Sequence, residues 1–419
     1  MKKTKFIFTL MLGCSLATMA RAADTSYENC VKAVGADKCV QIGDSDTYYA
    51  LSGPAGNQTM TVYGTKESGG TVASVPQNAF SVYNGNSSSA LDGVTSLKFS
   101  GNVNIENSAF QGATGLTSVN LTGVQSVGNT AFAGATNLTD VNFTGVQTIG
   151  NSAFANMHSL VSADLSGVQT IGNGAFYDTG LTTVKLAGVQ TIEDNAFENA
   201  TSLTSVDLTS VGTIKSRVFA GATSLTSIDL SGIQSLDKRA LTGMNLQNLT
   251  ISENSPVEAA YAIDGGNYYY ALSSLASAQR DLQEFEEQIP QLREDGMSEE
   301  EIEWLLEDYQ ESIAYAQPQV DAARENLLAQ TLKINCKGDA QVCKAKLLSG
   351  LPDEYKAVLG TKVPFDVGEA TYLESDGKGG YAIKTYGGKI VGFKNKRIYT
   401  LDEANQVAGK VNRVSIKYR

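Results

Sequence analysis

The residues that could carry chemistry in this chain are few, and the first is its only histidine, His158. The sequence contains no HExxH, GxSxG, GxxxxGK or DxDxDG motif that would place a metal, a nucleophile or a phosphate. General acid–base and metal chemistry therefore lack their usual groups. We expect His158 to lie in a surface loop, and we predict a protein that is not an enzyme and uses no cofactor or metal.

Once the N-terminal segment 1–22 with Cys14 is set aside as a predicted export signal, four cysteines form the second chemically distinctive set, namely Cys30, Cys39, Cys336 and Cys343. An even number of cysteines in an exported chain favours two disulfides. Three connectivities are open, and the short spacings favour Cys30–Cys39 and Cys336–Cys343. The alternative is a four-thiolate zinc site, although zinc ligands usually come in more closely spaced pairs.

A repeat of 22 residues, in places 21, must position most of the polar side chains. One column of the repeat consists of Phe110, Phe132, Phe154, Phe176, Phe197, Phe219 and Leu241, and a second of Val94, Leu116, Leu138, Leu160, Leu181, Leu203, Leu225 and Leu246. A fixed period of this length indicates a solenoid, in which each unit buries its apolar face against its neighbours. The sequence predicts a solenoid with a parallel β-sheet and about seven to eight repeats.

Within each unit, alternation predicts a strand with one face in water. In the unit at 203–208, Leu203, Val206 and Leu208 point inward and small polar residues point outward. Gly123, Gly145, Gly167, Gly188 and Gly232 follow the strands, where we expect sharp turns.

The outward positions of these strands form the candidate binding face. Asp140, Asp164, Asp207 and Asp229, interrupted by Lys185, are expected to form a ladder with a spacing of about 4.8 Å that is open to water. Such an open ladder lacks the pocket that catalysis by paired carboxylates needs. The face comprises Ser118, Asn120, Asp140, Asn142, Ser162, Asp164, Thr183, Lys185, Ser205, Asp207, Ser227 and Asp229.

The consensus LxxVxLxGVxxIGxxAFxxAxx resembles the BspA-like leucine-rich repeat of bacterial surface proteins. The IGxxAF element is the most specific part, as in residues 127–132 and 149–154, and the resemblance covers about 94–251. The units are one residue shorter and lack the proline and the cysteine of the family pattern. The resemblance implies an α/β leucine-rich repeat solenoid. It also implies a non-enzymatic surface protein that mediates adhesion, with a host or bacterial surface protein or glycan as its partner.

The N-terminal residues carry the pattern of an export signal over 1–22. Lys2, Lys3 and Lys5 precede an apolar segment, and Ala20-Arg21-Ala22 forms an A-x-A cleavage site. Cys14 leaves a lipoprotein acceptor as the alternative. Export would place the protein at the cell surface or outside the cell, or in the periplasm.

Residues 23–93 lack the period and are interpreted as an N-terminal cap, with strands at 47–52 and 58–64, before repeats over 94–255.

Residues 256–335 change to a helical pattern. Apolar residues at spacings of three and four run from Tyr268 to Leu292 and again from Ile302 to Leu327, which predicts an antiparallel coiled-coil hairpin. A capping box of Ser298 and Glu301 restarts the second helix, and Pro318 should kink it. Fifteen acids against four bases give residues 267–333 a net charge of −11. The hairpin is either a solvated acidic element or an arm that docks a partner. We expect the repeats to fold without it.

Residues 336–419 are interpreted as a small basic α+β module. A helix is predicted over 340–348, strands over 381–385, 389–393 and 413–418, and a net charge of +7 lies in 376–419. The bases could contact an anionic envelope polymer or lipid headgroup; a solvated module or an export and anchoring domain are the alternatives. The candidate envelope contacts are Lys389, Lys394, Lys396, Arg397, Arg413, Lys417 and Arg419.

The overall charge narrows the function further. The net charge is −12, and −16 without residues 1–22, which argues against nucleic acid as a partner. The sequence contains no apolar run of 18 residues, so it predicts no transmembrane helix. The sequence thus favours non-covalent recognition at the cell exterior. A structural envelope component is the alternative, and an enzyme with a C-terminal site is the least favoured.

Overall fold

The structure is a computed structural model that describes residues 26–43, 45, 47–64, 72–82, 89–329, 332–359, 363, 365–369, 371–375, 381–385 and 390–391. The chain divides into two compact units, the first ending at Thr148 and the second beginning at Ile149. The strand β10, Thr148–Ile149, contains the division.

The first unit contains one α-helix and parallel strands that repeat. Its elements are α1 (Ser26–Val34), β1 (Val40–Gln41), β2 (Tyr48–Ser52), β3 (Gln58–Tyr63), β4 (Ala73–Val75), β5 (Val94–Ser100), β6 (Val103–Ile105), β7 (Ser118–Asn120), β8 (Val124–Val127) and β9 (Asp140–Asn142), with short 3-10 helices at Ala36–Lys38 and Ser89–Leu91. One sheet has the order β1-β2-β3-β5-β7-β9, antiparallel as far as β3 and parallel beyond it. A second, parallel series runs β4-β6-β8.

The second unit repeats the same two strands and then adds helices. Its elements are β11 (Ser162–Asp164), β12 (Thr170–Ile171), β13 (Thr183–Lys185), β14 (Thr191–Ile192), β15 (Ser205–Val206), β16 (Thr213–Ile214), β17 (Ser227–Asp229), β18 (Ser235–Leu236), β19 (Asn248–Ser252), a 3-10 helix (Val257–Ile263), α2 (Asn267–Glu294), α3 (Glu299–Ala329), β20 (Lys333–Lys337), α4 (Ala340–Gly350), α5 (Asp353–Leu359), β21 (Asp366–Glu369), β22 (Thr371–Ser375), β23 (Tyr381–Thr385) and β24 (Ile390–Val391). The parallel series are β11-β13-β15, β12-β14-β16-β18 and β17-β19-β20-β21, and β22-β23-β24 is antiparallel.

The phenylalanine column forms the core of both units. Phe110, Phe154, Phe176 and Phe197 are fully buried. Within the second unit the rings stack nearly parallel, with centroids 5.5 Å apart for Phe154 and Phe176 and 5.4 Å apart for Phe176 and Phe197. The ring spacing follows the strand spacing, because each ring belongs to one repeat and the repeats stack through parallel strands.

Turns in the repeat require left-handed backbone at two positions around each phenylalanine. The residues two before and two after the ring have positive φ, as in Ser152 (52°) and Asn156 (61°) around Phe154. The glycine that follows the strand also has left-handed backbone. Gly123 has a φ of 91°, and a Cβ on it would lie 2.4 Å from the carbonyl oxygen of Gly101. Gly232 lies in a turn as predicted, but its φ is not positive.

The repeats begin before residue 94, which corrects the predicted boundary of the N-terminal segment. Strand β3 pairs in parallel with β5, and β4 pairs in parallel with β6. Residues 75–80, VPQNAF, occupy the place of IGxxAF, and Phe80 stacks on Phe110 at 5.1 Å. The period was hidden because 30 residues separate these two rings rather than 22. The predicted strands at 47–52 and 58–64 are confirmed as β2 and β3.

The two long helices pack along the predicted apolar positions. In α2 and α3 every position of the predicted seams is buried or half-buried, and Phe285 and Tyr309 bring their ring centroids within 5.0 Å. The predicted capping box is confirmed, because Ser298 N donates to Glu301 Oε2 at 2.9 Å and Glu301 N donates to Ser298 Oγ at 3.3 Å. Helix α3 continues through Pro318.

The chain returns to the repeat sheet after the helices, and the predicted boundary at 335/336 falls inside a strand. Strand β20 pairs in parallel with β19 over five residues, and β21 pairs in parallel with β20. Leu332, Ile334 and Cys336 are buried, which reproduces the inward alternation of a repeat strand. The helices are therefore an insertion between two neighbouring strands of one sheet.

The last described residues agree with part of the predicted C-terminal module. The helix predicted over 340–348 is α4, and the strand predicted over 381–385 is β23. The strand predicted over 389–393 is present as β24, and that over 413–418 lies outside the described residues. Helix α5 was not predicted.

Candidate recognition surface

The outward strand positions form two parallel columns in each unit. In the second unit, Ser162, Thr183 and Ser205 are in register in one column, and Asp164 and Lys185 in the next. In the first unit Ser118 pairs with Asp140, and Asn120 with Asn142. All twelve predicted face residues are exposed except Ser118, which is half-buried. The alternation of the repeat thus places the predicted residues on the accessible side of their strands.

The four aspartates do not form the single ladder that was predicted. In the first unit, Asp140 lies in the same column as Ser118, and Asn142 lies in the other column. In the second unit, Asp164 occupies the repeat position that corresponds to Asn142, and it pairs with Lys185. The reason is that the repeat carries two outward positions, and Asp140 occupies the first of them while Asp164 occupies the second. The carboxylates are consequently interspersed with hydroxyl, amide and ammonium groups.

Most acids and amides of the second column also hold the turn that follows the strand. The side-chain oxygen of each accepts a hydrogen bond from the backbone N–H two residues later, at 2.9–3.1 Å, in an Asx turn. The pairs are Asn120 with Thr122, Asn142 with Thr144, Asp164 with Ser166, Asp207 with Thr209, and Asp229 with Ser231. The accepting oxygen of each side chain therefore has a structural task in the turn.

Two ion pairs modify the charge of the face. Lys185 Nζ lies 2.9 Å from Asp164 Oδ2, and Lys337 Nζ lies 2.7 Å from Asp229 Oδ2. Hydrogen bonds from Ser166 and Lys185 lower the pKa of Asp164 to about 2. Burial pushes the pKa of Asp229 up, but the hydrogen bonds from Lys337 and Ser231 outweigh burial and lower it. Both carboxylates are ionised at neutral pH, and the lysine beside each one compensates its negative charge.

Lys337 is the residue of this surface that sequence reasoning missed. It lies 108 positions after Asp229, beyond the inserted helices, so the repeat period does not reach it. The inward alternation of Leu332, Ile334 and Cys336 was the available signal, since it implies that Lys333, Asn335 and Lys337 point outward.

The titration of Asp164 tests this arrangement directly. We expect its carboxyl to titrate near pH 2, and Lys185→Gln to raise that pKa only in part because the Ser166 hydrogen bonds remain. A depressed carboxyl pKa stabilises the fold above the ordinary value of 3.8, and this contribution is lost as the pH falls toward 2. Carboxyl carbon chemical shifts in selectively labelled protein measure it. An unshifted Asp164 in the parent protein would contradict the pair.

The single histidine is exposed and lies beside an aspartate. His158 Nε2 lies 3.2 Å from Asp178 Oδ2, with 61% and 42% of the two side chains exposed. Within the described ranges, no three His, Cys, Asp or Glu side chains are grouped so as to hold a metal ion. Among the same residues, no helix combines the length and the apolar character needed to cross a membrane.

The cysteines pair locally, and the basic tail lies largely outside the described residues. Cys30 pairs with Cys39 and Cys336 with Cys343, with Cα atoms 5.9 Å and 6.1 Å apart; the oxidation state of these cysteines in the cell stays a prediction. Residues 1–22 and all the candidate envelope contacts lie outside the described residues, namely Lys389, Lys394, Lys396, Arg397, Arg413, Lys417 and Arg419.

Comparison with known proteins gives one family match. Residues 73–201 and 165–263 match the BspA type leucine rich repeat region, in six copies. The match starts at residue 73, in agreement with the early strands β4 and β6. No curated protein matches the chain.

Solved structures similar to this chain include the following one. It is a leucine-rich repeat protein from Eubacterium ventriosum ATCC 27560, with 17% sequence identity and a TM-score of 0.36. The similarity covers 52% of this chain and 66% of the other, so the chain spans just under two thirds of that protein's length.

Proposed function

Since the chain belongs to the proteins with BspA-type leucine-rich repeats, we propose that it is an exported bacterial surface protein that recognises a protein or glycan, in the manner of an adhesin, through the outward face of its repeat strands. Export rests on the signal pattern of residues 1–22. The chemistry of the face determines which ligand it can bind.

The observation that carries this proposal is the regular array of exposed polar groups. Hydroxyl, amide and carboxylate groups recur at the strand spacing of about 4.8 Å, as in Ser162, Thr183 and Ser205. These side chains are small and include none of the Trp, Tyr and Arg residues that usually anchor protein interfaces. Each contact is therefore weak, and a ligand with repeated groups would gain affinity from many such contacts at once.

Blocking the array tests the proposal. We expect Thr183→Arg with Ser205→Arg to abolish saturable binding to extracellular-matrix proteins, mucins or envelope glycans, because two long side chains would cover neighbouring strands. The matched control is Thr170→Arg with Ser235→Arg, which adds the same charge at exposed positions of the other strand series, in β12 and β18. Surface plasmon resonance with the ligand that the parent protein binds gives the comparison. Equal affinity of both variants would remove the face from recognition.

A structural component of the cell envelope is the second candidate. It is favoured by the Asx turns, which give Asn120, Asn142 and Asp164 a role in folding that needs no ligand. The two candidates differ in one measurable property, since a spacer shows no saturable binding to any ligand of the screen.

The basic C-terminal residues supply a route to surface retention within this proposal. Residues 376–419 carry a net charge of +7, whereas residues 23–375 carry −23, so the tail is the part attracted to an anionic envelope. Contact through Lys394, Lys396 and Arg397, among others, is a sequence-based proposal. An enzymatic activity of this C-terminal part is the least favoured interpretation, because no catalytic motif occurs there.

A further inference from the structure

Two aromatic side chains on α3 are exposed to an unusual degree. Trp304, the only tryptophan of the chain, is 67% exposed and Tyr315 is 76% exposed. Positions 304, 308, 311 and 315 are separated by four, three and four residues, which places them along one side of the helix. The seam positions, such as Ile302 and Ala316, are buried and account for the packing against α2. The two rings therefore have no packing task in the hairpin.

Carboxylates occupy the space between and beside these rings. Asp308 and Glu311 lie between Trp304 and Tyr315 along α3, and Asp281 approaches from α2 across a groove of about 660 Å³. The groove is lined by Tyr315 and by the small side chains Ser277, Ala278 and Ser312, among others. Among the described residues, none of these three carboxylates has an ion-pair partner. We name Trp304, Asp308, Glu311 and Tyr315, with Asp281, the aromatic–acidic strip.

The charge of the whole hairpin acts in the same direction. Residues 267–333 carry a net charge of −11, so their field concentrates cations near the strip and repels anionic surfaces. An amphipathic apolar helix is also disfavoured, because docking it over Asp308 and Glu311 would bury unpaired charge. Charge complementarity thus selects a cationic partner.

We propose that the aromatic–acidic strip docks an extended, Arg/Lys-rich segment of a partner protein. Guanidinium groups stack on the faces of Trp and Tyr rings and form bidentate hydrogen bonds with carboxylates. The eleven residue-to-residue steps from Trp304 to Tyr315 span about 16 Å along α3 at ~1.5 Å per residue. An extended chain advances about 3.3 Å per residue, so two arginines about five positions apart would reach both rings. Ligand recognition by the repeat strands is independent of this site.

The test uses the full chain and a synthetic peptide with two arginines five positions apart in a Gly/Ser background. Because Trp304 is the only tryptophan, its fluorescence reports on the strip itself. We expect a saturable change in emission with this peptide and none with its glutamate counterpart. Affinity should fall as ionic strength rises from about 0.01 to 1 M, because the Debye length shortens from ~30 to ~3 Å.

Two matched variants separate the strip from the general charge of the hairpin. Asp308→Asn with Glu311→Gln should weaken peptide binding tenfold or more, and Tyr315→Ala should weaken it several-fold. Glu303→Gln with Glu325→Gln removes the same charge from other exposed positions of α3 and should change affinity less than twofold. Helical circular dichroism verifies that each variant folds.

Three results would overturn the proposal. They are an unchanged Trp304 emission in the presence of the arginine peptide, equal weakening by the two charge pairs, and equal binding of the glutamate peptide. The variant Thr183→Arg with Ser205→Arg should bind the arginine peptide like the parent protein. A failure of the strip is therefore distinguishable from a failure of recognition by the repeat strands.

Discussion

Phe176→Ala is expected to lower the free energy of unfolding by about 3–5 kcal/mol. The ring is fully buried and stacks on Phe154 at 5.5 Å and on Phe197 at 5.4 Å. Removing it leaves a cavity between two repeats, and neighbours held by parallel strands on both sides have little freedom to close it. Chemical denaturation followed by far-UV circular dichroism gives the change in free energy.

Two further substitutions control for this result. Phe176→Leu retains much of the volume and should cost less than the alanine change. Val161→Ala removes apolar atoms from a side chain that is 52% exposed in the same unit, and it should stay within about 0.5 kcal/mol of the parent. A loss below about 1 kcal/mol for Phe176→Ala would mean that the stacked rings do not hold the repeats together.

The regular part of the fold was predictable because each repeat solves the same packing problem. The Phe column, the strand alternation and the capping box of Ser298 follow from local patterns, and the structure contains them. The pattern failed where an insertion changed the spacing. The longer connection before Phe110 hid the repeat at 75–80, and the inserted helices separated β20 from β19 by about eighty residues.

Backbone conformation was the second limit of prediction. The positions two before and two after each phenylalanine need positive φ, yet Thr130, Ser152, Asp178 and Arg217 occupy some of them instead of glycine. Because the neighbouring strands impose the turn, residues that tolerate this conformation poorly are still accepted there. A glycine search alone therefore finds only part of the turns.

The candidate surface was predictable to the level of single positions, but its energetics were not. Alternation was sufficient to place Thr183 and Lys185 outward. It could not show that Lys337 neutralises Asp229 or that the strip on α3 pairs exposed rings with carboxylates. Those relations arise from tertiary contacts between segments that lie far apart in the sequence or on different helices.

The base of the helical insertion contains a buried carboxylate that joins three segments. Asp264 is only 3% exposed, and its oxygens accept hydrogen bonds from Gly266 N at 2.9 Å, from Tyr268 N at 2.9 Å and from Tyr355 Oη at 2.9 Å. Tyr355, on α5, accepts in turn from Tyr269 N at 3.1 Å. Burial raises the pKa of Asp264, although the hydrogen bonds oppose this effect.

This arrangement argues against the expectation that residues 267–333 can be deleted without consequence for the repeats, which stays a prediction. Lys333 begins β20, which pairs with β19, and Gly243 N donates to Gly265 O at 3.2 Å next to Asp264. Lys238, in the repeat, lies over the Tyr269 ring, 4.4 Å from its centroid. Only the part of the hairpin beyond this base is independent of the repeats.

Asp264→Ala should therefore destabilise the second unit by about 3 kcal/mol or more. It leaves three donors without their acceptor in a site closed to water, and each such buried group costs about 1–3 kcal/mol. Tyr355→Phe removes one of the three donors and also the acceptor of Tyr269 N. The two N–H bonds to Asp264 remain, so its cost should be smaller than that of Asp264→Ala. Denaturation followed by circular dichroism and by Trp304 emission measures both changes.

The contrast with an exposed acid of the same insertion decides what these losses mean. Glu303→Ala alters a solvated position of α3 and should change stability by no more than about 0.5 kcal/mol. If Asp264→Ala were equally mild, water or a rearranged backbone would be replacing the lost acceptor, and the base would not join the insertion to the sheet. If the loss is large in both signals at once, helices and final repeat strands unfold as one cooperative element. In that case the insertion is coupled to the repeats through Asp264. A partner bound on α3 would then affect the repeat sheet through the hydrogen bonds of Asp264.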